Sequence, residues 1–169
     1  MFYASRGSIP PKRHTQHRAP DGQQIVYHKV IHDAAQDRVV DSNIFIVNAD
    51  GSGLHELALP DGTPWGDADW SPDGSRIVFG SYPIRVLANA KSEVYSVRPD
   101  GTDLQQLTRL GVGSGAPSWT SDGAHIFFWG LQTFFLMDPD GGNAKAINRA
   151  DLVFDNDGYG FYGALQPTP

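Results

Sequence analysis

Short apolar runs, cut at intervals by Asp-Gly dipeptides, recur along this chain. Arg76–Gly80, Glu93–Val97 and His125–Trp129 are rich in β-branched and aromatic residues, the composition of strands. Ile126-Phe127-Phe128-Trp129 is apolar at every position, which predicts burial on both faces, as in stacked sheets. The Asp-Gly dipeptides supply the positive φ that tight turns need, and Pro72, just before Asp73, presets one of them. The only helical element expected is a single turn at Val86–Glu93.

The runs form a repeat. Asp69-Trp70-Ser71-Pro72-Asp73-Gly74-Ser75-Arg76-Ile77-Val78-Phe79 aligns without a gap on Ser118-Trp119-Thr120-Ser121-Asp122-Gly123-Ala124-His125-Ile126-Phe127-Phe128, 49 residues on. Ala19-Pro20-Asp21-Gly22 fits the same template 52 residues earlier, with Arg18 in the tryptophan slot. Phe154-Asp155-Asn156-Asp157-Gly158 fits with Phe154 in that slot. A second motif interleaves with the first: Asp50-Gly51, Asp100-Gly101 and Asp140-Gly141 each follow an apolar run. Four short strands per unit, at this repeat length, is the arithmetic of a β-propeller blade.

The phrases Trp-Ser-Pro-Asp-Gly-Ser-Arg-Ile-Val-Phe and Val-Asn-Ala-Asp-Gly-Ser-Gly resemble TolB-type propeller repeats, which also occur beside peptidase domains. The resemblance spans about Arg18 to Gly163 and implies an all-β fold: a β-propeller of four-stranded antiparallel blades. About three and a half blades are expected. Residues 1–17 read as a basic, non-repeat flexible arm, 18–69 as the first repeat, 70–118 as the second, 119–153 as the third, and 154–169 as a partial repeat and tail. Closed propellers typically have four to eight blades. Three resolutions stand open: a fragment of a longer propeller, two copies closing one ring, or a small four-bladed ring completed by the termini.

Two insertions, Val30–Ser42 and Ser81–Ser92, are expected as loops on one face. Gly111-Val112-Gly113-Ser114-Gly115 is expected as a flexible linker between blades.

Charge separates the arm from the rest. The net charge is −6, with +4 in the first twenty residues and −10 in the remainder. An acidic body argues against nucleic-acid binding. No apolar run approaches the ~18 residues of a membrane span, so no membrane insertion is expected. Cysteine is absent, which excludes disulfides and thiolate chemistry. Met1–Pro20 shows no apolar signal-peptide core. A periplasmic or extracellular location is expected only if the N-terminus is truncated.

Candidate chemistry is sparse. His28 and His32 are four residues apart, a spacing that pairs metal ligands only on a helix. Here His28 is expected to end a strand and His32 to enter a loop, which leaves them weak metal candidates. His14 and His17 are expected to be solvated within the arm. Asp67 and Asp69 alternate on one strand and are expected to share a face, most simply to satisfy backbone amides. Asp155-Asn156-Asp157-Gly158 reads as a variant turn, since Val153 stands where a calcium loop needs an oxygen ligand. No Gly-x-Ser-x-Gly nucleophile elbow or Walker motif occurs. Trp70 and Trp119 belong to the template core, whereas Trp65 falls outside it and is the candidate for a surface stacking group.

The expectation is therefore a non-enzymatic scaffold for protein–protein interaction, with no cofactor and a protein partner or self-association. TolB-type propellers bind protein partners in the bacterial cell envelope, which the resemblance implies here. The alternative is the propeller portion of an enzyme. That enzyme would be a peptidase with an associated propeller, or one similar to oligogalacturonate lyase, which uses metal-binding histidines.

Overall fold

The computed structural model describes residues 16–33, 38–81, 91–111 and 113–147. They form three four-stranded antiparallel sheets, each a simple meander. The first holds β1 (Gln16–Arg18), β2 (Gln24–Asp33), β3 (Arg38–Asn48) and β4 (His55–Glu56). The second holds β5 (Trp65–Trp70), β6 (Ile77–Ser81), β7 (Val94–Val97) and β8 (Gln105–Gln106). The third holds β9 (Ser114–Trp119), β10 (Ile126–Gly130), β11 (Thr133–Met137) and β12 (Lys145–Ile147). These are three propeller blades. The first strands touch each other, β1 against β5 and β5 against β9, which makes them the inner strands. No helix among the described residues is long and apolar enough to cross a membrane.

The repeat template explains the local structure. Gly74 N–H donates to the Ser71 carbonyl at 2.8 Å, closing a turn with Pro72 in its second position. Gly74 takes a φ of +71°, which glycine adopts without a Cβ penalty. The Asp73 carboxylate accepts the Ser71 and Ser75 hydroxyls and the Ser75 N–H. Asp21, Asp50, Asp100, Asp122 and Asp140 each cap their own turn by accepting the N–H two residues on. The glycines after them, Gly22, Gly51, Gly101, Gly123 and Gly141, all have positive φ.

Stacking follows from the doubly apolar strands. Ile77 and Phe79 of β6 join Val26, Ile44, Ile46 and Leu57 of the first blade in one core. Val78, between them, joins Ile126, Phe128 and Met137 of the third blade in another. One strand thus fills two interfaces from its two faces, as its unbroken apolar run requires. Trp70 seals the first core and Trp119 packs against the second.

Four expectations are corrected. The Val30–Ser42 insertion is largely an extended hairpin, since Val30 pairs with Ser42 and Asp33 with Arg38. Its β-branched residues continue the ladder instead of looping out. Ser114 and Gly115 are not linker but part of β9, paired with Gly130 and Trp129. Trp65 is buried, with its ring edge-on to Phe79 and Tyr95 and its Nε1–H donating to the Pro60 carbonyl at 3.2 Å. The first blade begins at Gln16, so His17 lies in β1 instead of a free arm. The helical turn at Val86–Glu93 falls outside the described residues except at its end. Phe154, Asp157, Gly158 and the rest of the partial repeat fall outside them entirely.

Candidate functional site

Among the described residues, the inner strands β1 and β5 carry His17, Asp67 and Asp69. β5 shifts register between Gly66 and Asp69, and the equivalent shift opposite β9 lies between Phe127 and Trp129. Within these bulges Asp67 and Ala116, 49 residues apart in the repeat, both take left-handed backbone, with φ of +51° and +48°. A left-handed conformation is costly for a residue with a Cβ and is held here by the surrounding ladder. Bulges re-aim side chains. The register shift also interrupts the alternation on which a shared face for Asp67 and Asp69 was expected.

The two aspartates meet different partners. Asp69 lies with Oδ1 2.8 Å from His17 Nδ1 of the first blade. Its Oδ2 accepts the Trp119 N–H of the third blade at 2.9 Å. One carboxylate therefore ties three blades together. Its role in satisfying a backbone amide is as the sequence led one to expect. Asp67 donates its N–H to His28 Nδ1 at 3.4 Å.

The electrostatics follow from this packing. The hydrogen bond to Asp69 raises the His17 pKa above its ordinary value, although burial works against it. Burial pushes the Asp67 carboxyl above the usual carboxylate range, opposed by nearby His28 and His17 and by the Ala116 N–H. The turn aspartates go the other way: hydroxyl and N–H donors hold Asp50, Asp73, Asp100 and Asp122 below that range.

His28 and His32 both lie within β2. Four residues of strand separate their Cα atoms by about 13 Å, unlike the single helical turn that pairs such ligands. Among the described residues no three His, Cys, Asp or Glu groups converge as a metal ion would require. The His17–Asp69 contact was missed because it depends on how blades stack. One signal was available: His17, Asp69 and Ser118 each stand immediately before the tryptophan slot of their repeat.

A second feature lies on the third blade. Phe127, Trp129 and Phe134 wall an open groove of about 500 Å³ with Ser92, Ser114 and Ala116. The Phe127 and Phe134 rings stack at 4.9 Å, and Trp129 meets Phe134 edge-on at 4.7 Å. Trp129 is 42% exposed. The Ser114 hydroxyl in this wall is buried without a hydrogen-bond partner.

Comparison with known proteins agrees with this architecture. A putative TolB from Agrobacterium tumefaciens superposes with a TM-score of 0.62 at 21% identity, over 82% of this chain and 50% of that one. An oligogalacturonate lyase in complex with manganese superposes with a TM-score of 0.58 at 14% identity, over 78% of this chain and 40% of that one. In sequence, the chain is 33% identical over 111 residues to dipeptidyl-peptidase 5 of Porphyromonas endodontalis, covering 65% of this chain and 15% of that enzyme. No family model matches the chain. The fold is that of a β-propeller, seen here as an arc of three blades. Among propellers, its blades also superpose on TolB from Acinetobacter baumannii, with a TM-score of 0.59 at 15% identity over 78% of this chain and 31% of that one. The chain spans half the length of the Agrobacterium protein and a much smaller part of the peptidase.

Proposed function

We propose that this chain is a propeller scaffold that binds a protein partner and performs no chemistry of its own. The observation that carries this reading is how the inner-strand groups are used. His17 faces Asp69, Asp69 holds the Trp119 N–H, and the Asp67 N–H meets His28. These contacts join successive blades, so His17 and the Asp69 carboxylate serve rigidity. A rigid arc with exposed apolar side chains, Trp129 and Leu131 among them, suits recognition of a protein surface. A second copy is one such partner, since two arcs could share a ring. The test is an assay of the purified chain against chromogenic dipeptide substrates, and against oligogalacturonate with manganese. Neither is expected to turn over. Turnover abolished by Asp67→Asn would sink the reading.

A second reading is favoured by the 33% identity to dipeptidyl-peptidase 5. In it the arc belongs to the propeller of a peptidase, and its partner is the catalytic part. Light scattering of the purified chain, alone and mixed with a separately produced peptidase domain, separates the two. A stable mixed complex supports the peptidase reading, and self-association without it supports the first.

A further inference from the structure

We propose that Asp61-Gly62, on the connection between the first blade and the second, is a site of self-modification: it rearranges through a cyclic imide to isoaspartate, while the other described Asp-Gly pairs are held against that reaction. A glycine nitrogen has no Cβ beside it to crowd the attack, so every Asp-Gly pair carries the chemistry. Gly62 N attacks Asp61 Cγ. An N–Cγ bond forms, and the amide proton leaves with the carboxyl hydroxyl as water. Solvent water then adds to one of the two ring carbonyls. Addition at Cγ restores aspartate. Addition at the Asp61 main-chain carbonyl breaks its bond to Gly62 N and leaves the backbone running through Cγ. One water leaves and one returns, so the final mass is unchanged.

The fold decides which pair reacts. In the six turns whose aspartates accept the N–H two residues on, the glycine N–H is itself donated to the carbonyl three residues back, at 2.8–2.9 Å. Both reacting groups are thus tied to other partners and must be released before they can meet. Asp61-Gly62 lacks both ties: among the described residues, neither the Asp61 carboxylate nor the Gly62 N–H has a hydrogen-bond partner. A Cβ on Gly62 would meet nothing within 4 Å, which leaves room for the ring. The chain supplies its own control. Pro60-Asp61-Gly62-Thr63 and Pro99-Asp100-Gly101-Thr102 are the same four residues, and both aspartates are exposed. Thr102 gives Asp100 its N–H at 2.9 Å and its hydroxyl at 2.6 Å, and Gly101 N–H is held by the Arg98 carbonyl. Thr63 gives Asp61 neither. Local sequence and access to water are therefore matched, and only the turn differs. The Pro60 carbonyl accepts the Trp65 Nε1–H, so the altered backbone would lie at the entry to the second blade.

The test compares Asp61 with Asp100 in the purified full chain, aged at neutral pH in heavy-oxygen water and digested in ordinary water. Each ring opening installs one heavy oxygen, and electron-transfer fragmentation tells isoaspartate from aspartate at each site. Both signals are expected to grow at Asp61 at least about tenfold faster than at Asp100, where hydrogen bonds must break first. In urea the two sites should converge, since their tetrapeptides are identical. Equal rates in the folded chain would overturn the proposal. A difference that persists in urea would overturn it as well, because flanking sequence and not the fold would then set the rate. Thr102→Ala removes the hydroxyl from Asp100 and should speed that site while leaving Asp61 unchanged. An Asp100 rate that does not move would remove the protective role given to the turn's hydrogen bonds.

Discussion

Asp69 of the second blade accepts the backbone N–H of Trp119, fifty residues later in the third blade, at 2.9 Å. The same carboxylate faces His17 of the first blade at 2.8 Å. Asp69→Ala removes the acceptor and leaves a half-buried N–H without a partner, at a cost of about 2 kcal/mol. The His17 contact adds little, since that imidazole is partly solvent-exposed. Asp69→Asn keeps an acceptor oxygen and should lose roughly half as much as the alanine. Urea denaturation of the two variants checks the order. Equal losses would mean that charge, not the amide acceptor, carries the contact.

Stability should peak in mildly acidic solution. His17 has a raised pKa. Its contribution is therefore complete below the unfolded value of 6.5 and fades as pH rises through the native one. Asp67 is also raised, so the fold favours its protonated form, and ionising it with rising pH costs stability. The lowered turn aspartates act oppositely: they stabilise above the unfolded value of 3.8 and lose that contribution as pH falls through their native values. Thermal melts between pH 5 and pH 8, taken as a reading window on either side of the histidine reference value, should decline toward the alkaline end. His17→Asn should flatten that decline, and an undiminished slope in the variant would assign the effect elsewhere.

The elements that repeat were legible in the sequence because they are local. Asp73-Gly74 makes its turn from residues within five positions, and Ile77-Val78-Phe79 announces two-sided burial by its composition. What the sequence hid depends on contacts between blades. His17 reads as an arm residue until β5 is laid beside β1. Trp65 lies outside the template, yet the stacked Phe79 and Tyr95 rings enclose it. The bulge at Asp67 carries no signal, since an aspartate with positive φ looks like any other in a strand. Ser114 and Gly115 read as linker because Gly-Ser composition marks flexibility only when no neighbour offers a ladder.

Gly141 and Gly51 occupy equivalent turns with nearly equal φ, +87° and +86°. They differ in their surroundings. A Cβ on Gly51 would meet nothing within 4 Å, whereas one on Gly141 would lie 2.5 Å from the Leu107 carbonyl oxygen. Gly51→Ala should therefore cost only the left-handed backbone penalty, about 1 kcal/mol. Gly141→Ala must in addition displace backbone where the third blade meets the second, and should cost at least about 2 kcal/mol. Chemical denaturation of both variants tests this. Equal losses would show that the close approach of turn and backbone is absent in solution.

Trp70 carries the last prediction. Its ring is buried in the core between the first two blades, among Val26, Ile77 and Phe79. Its indole nitrogen is buried as well but makes no hydrogen bond. The side chain therefore acts by volume and apolar contact alone. Trp70→Ala should cost about 3–5 kcal/mol through the cavity it leaves. Trp70→Phe keeps most of the ring, forfeits no hydrogen bond and relieves an unpaired polar group, so its cost should stay below about 2 kcal/mol. A phenylalanine variant as unstable as the alanine would require a partner for the indole N–H. An alanine variant losing less than about 1 kcal/mol would place Trp70 outside the core.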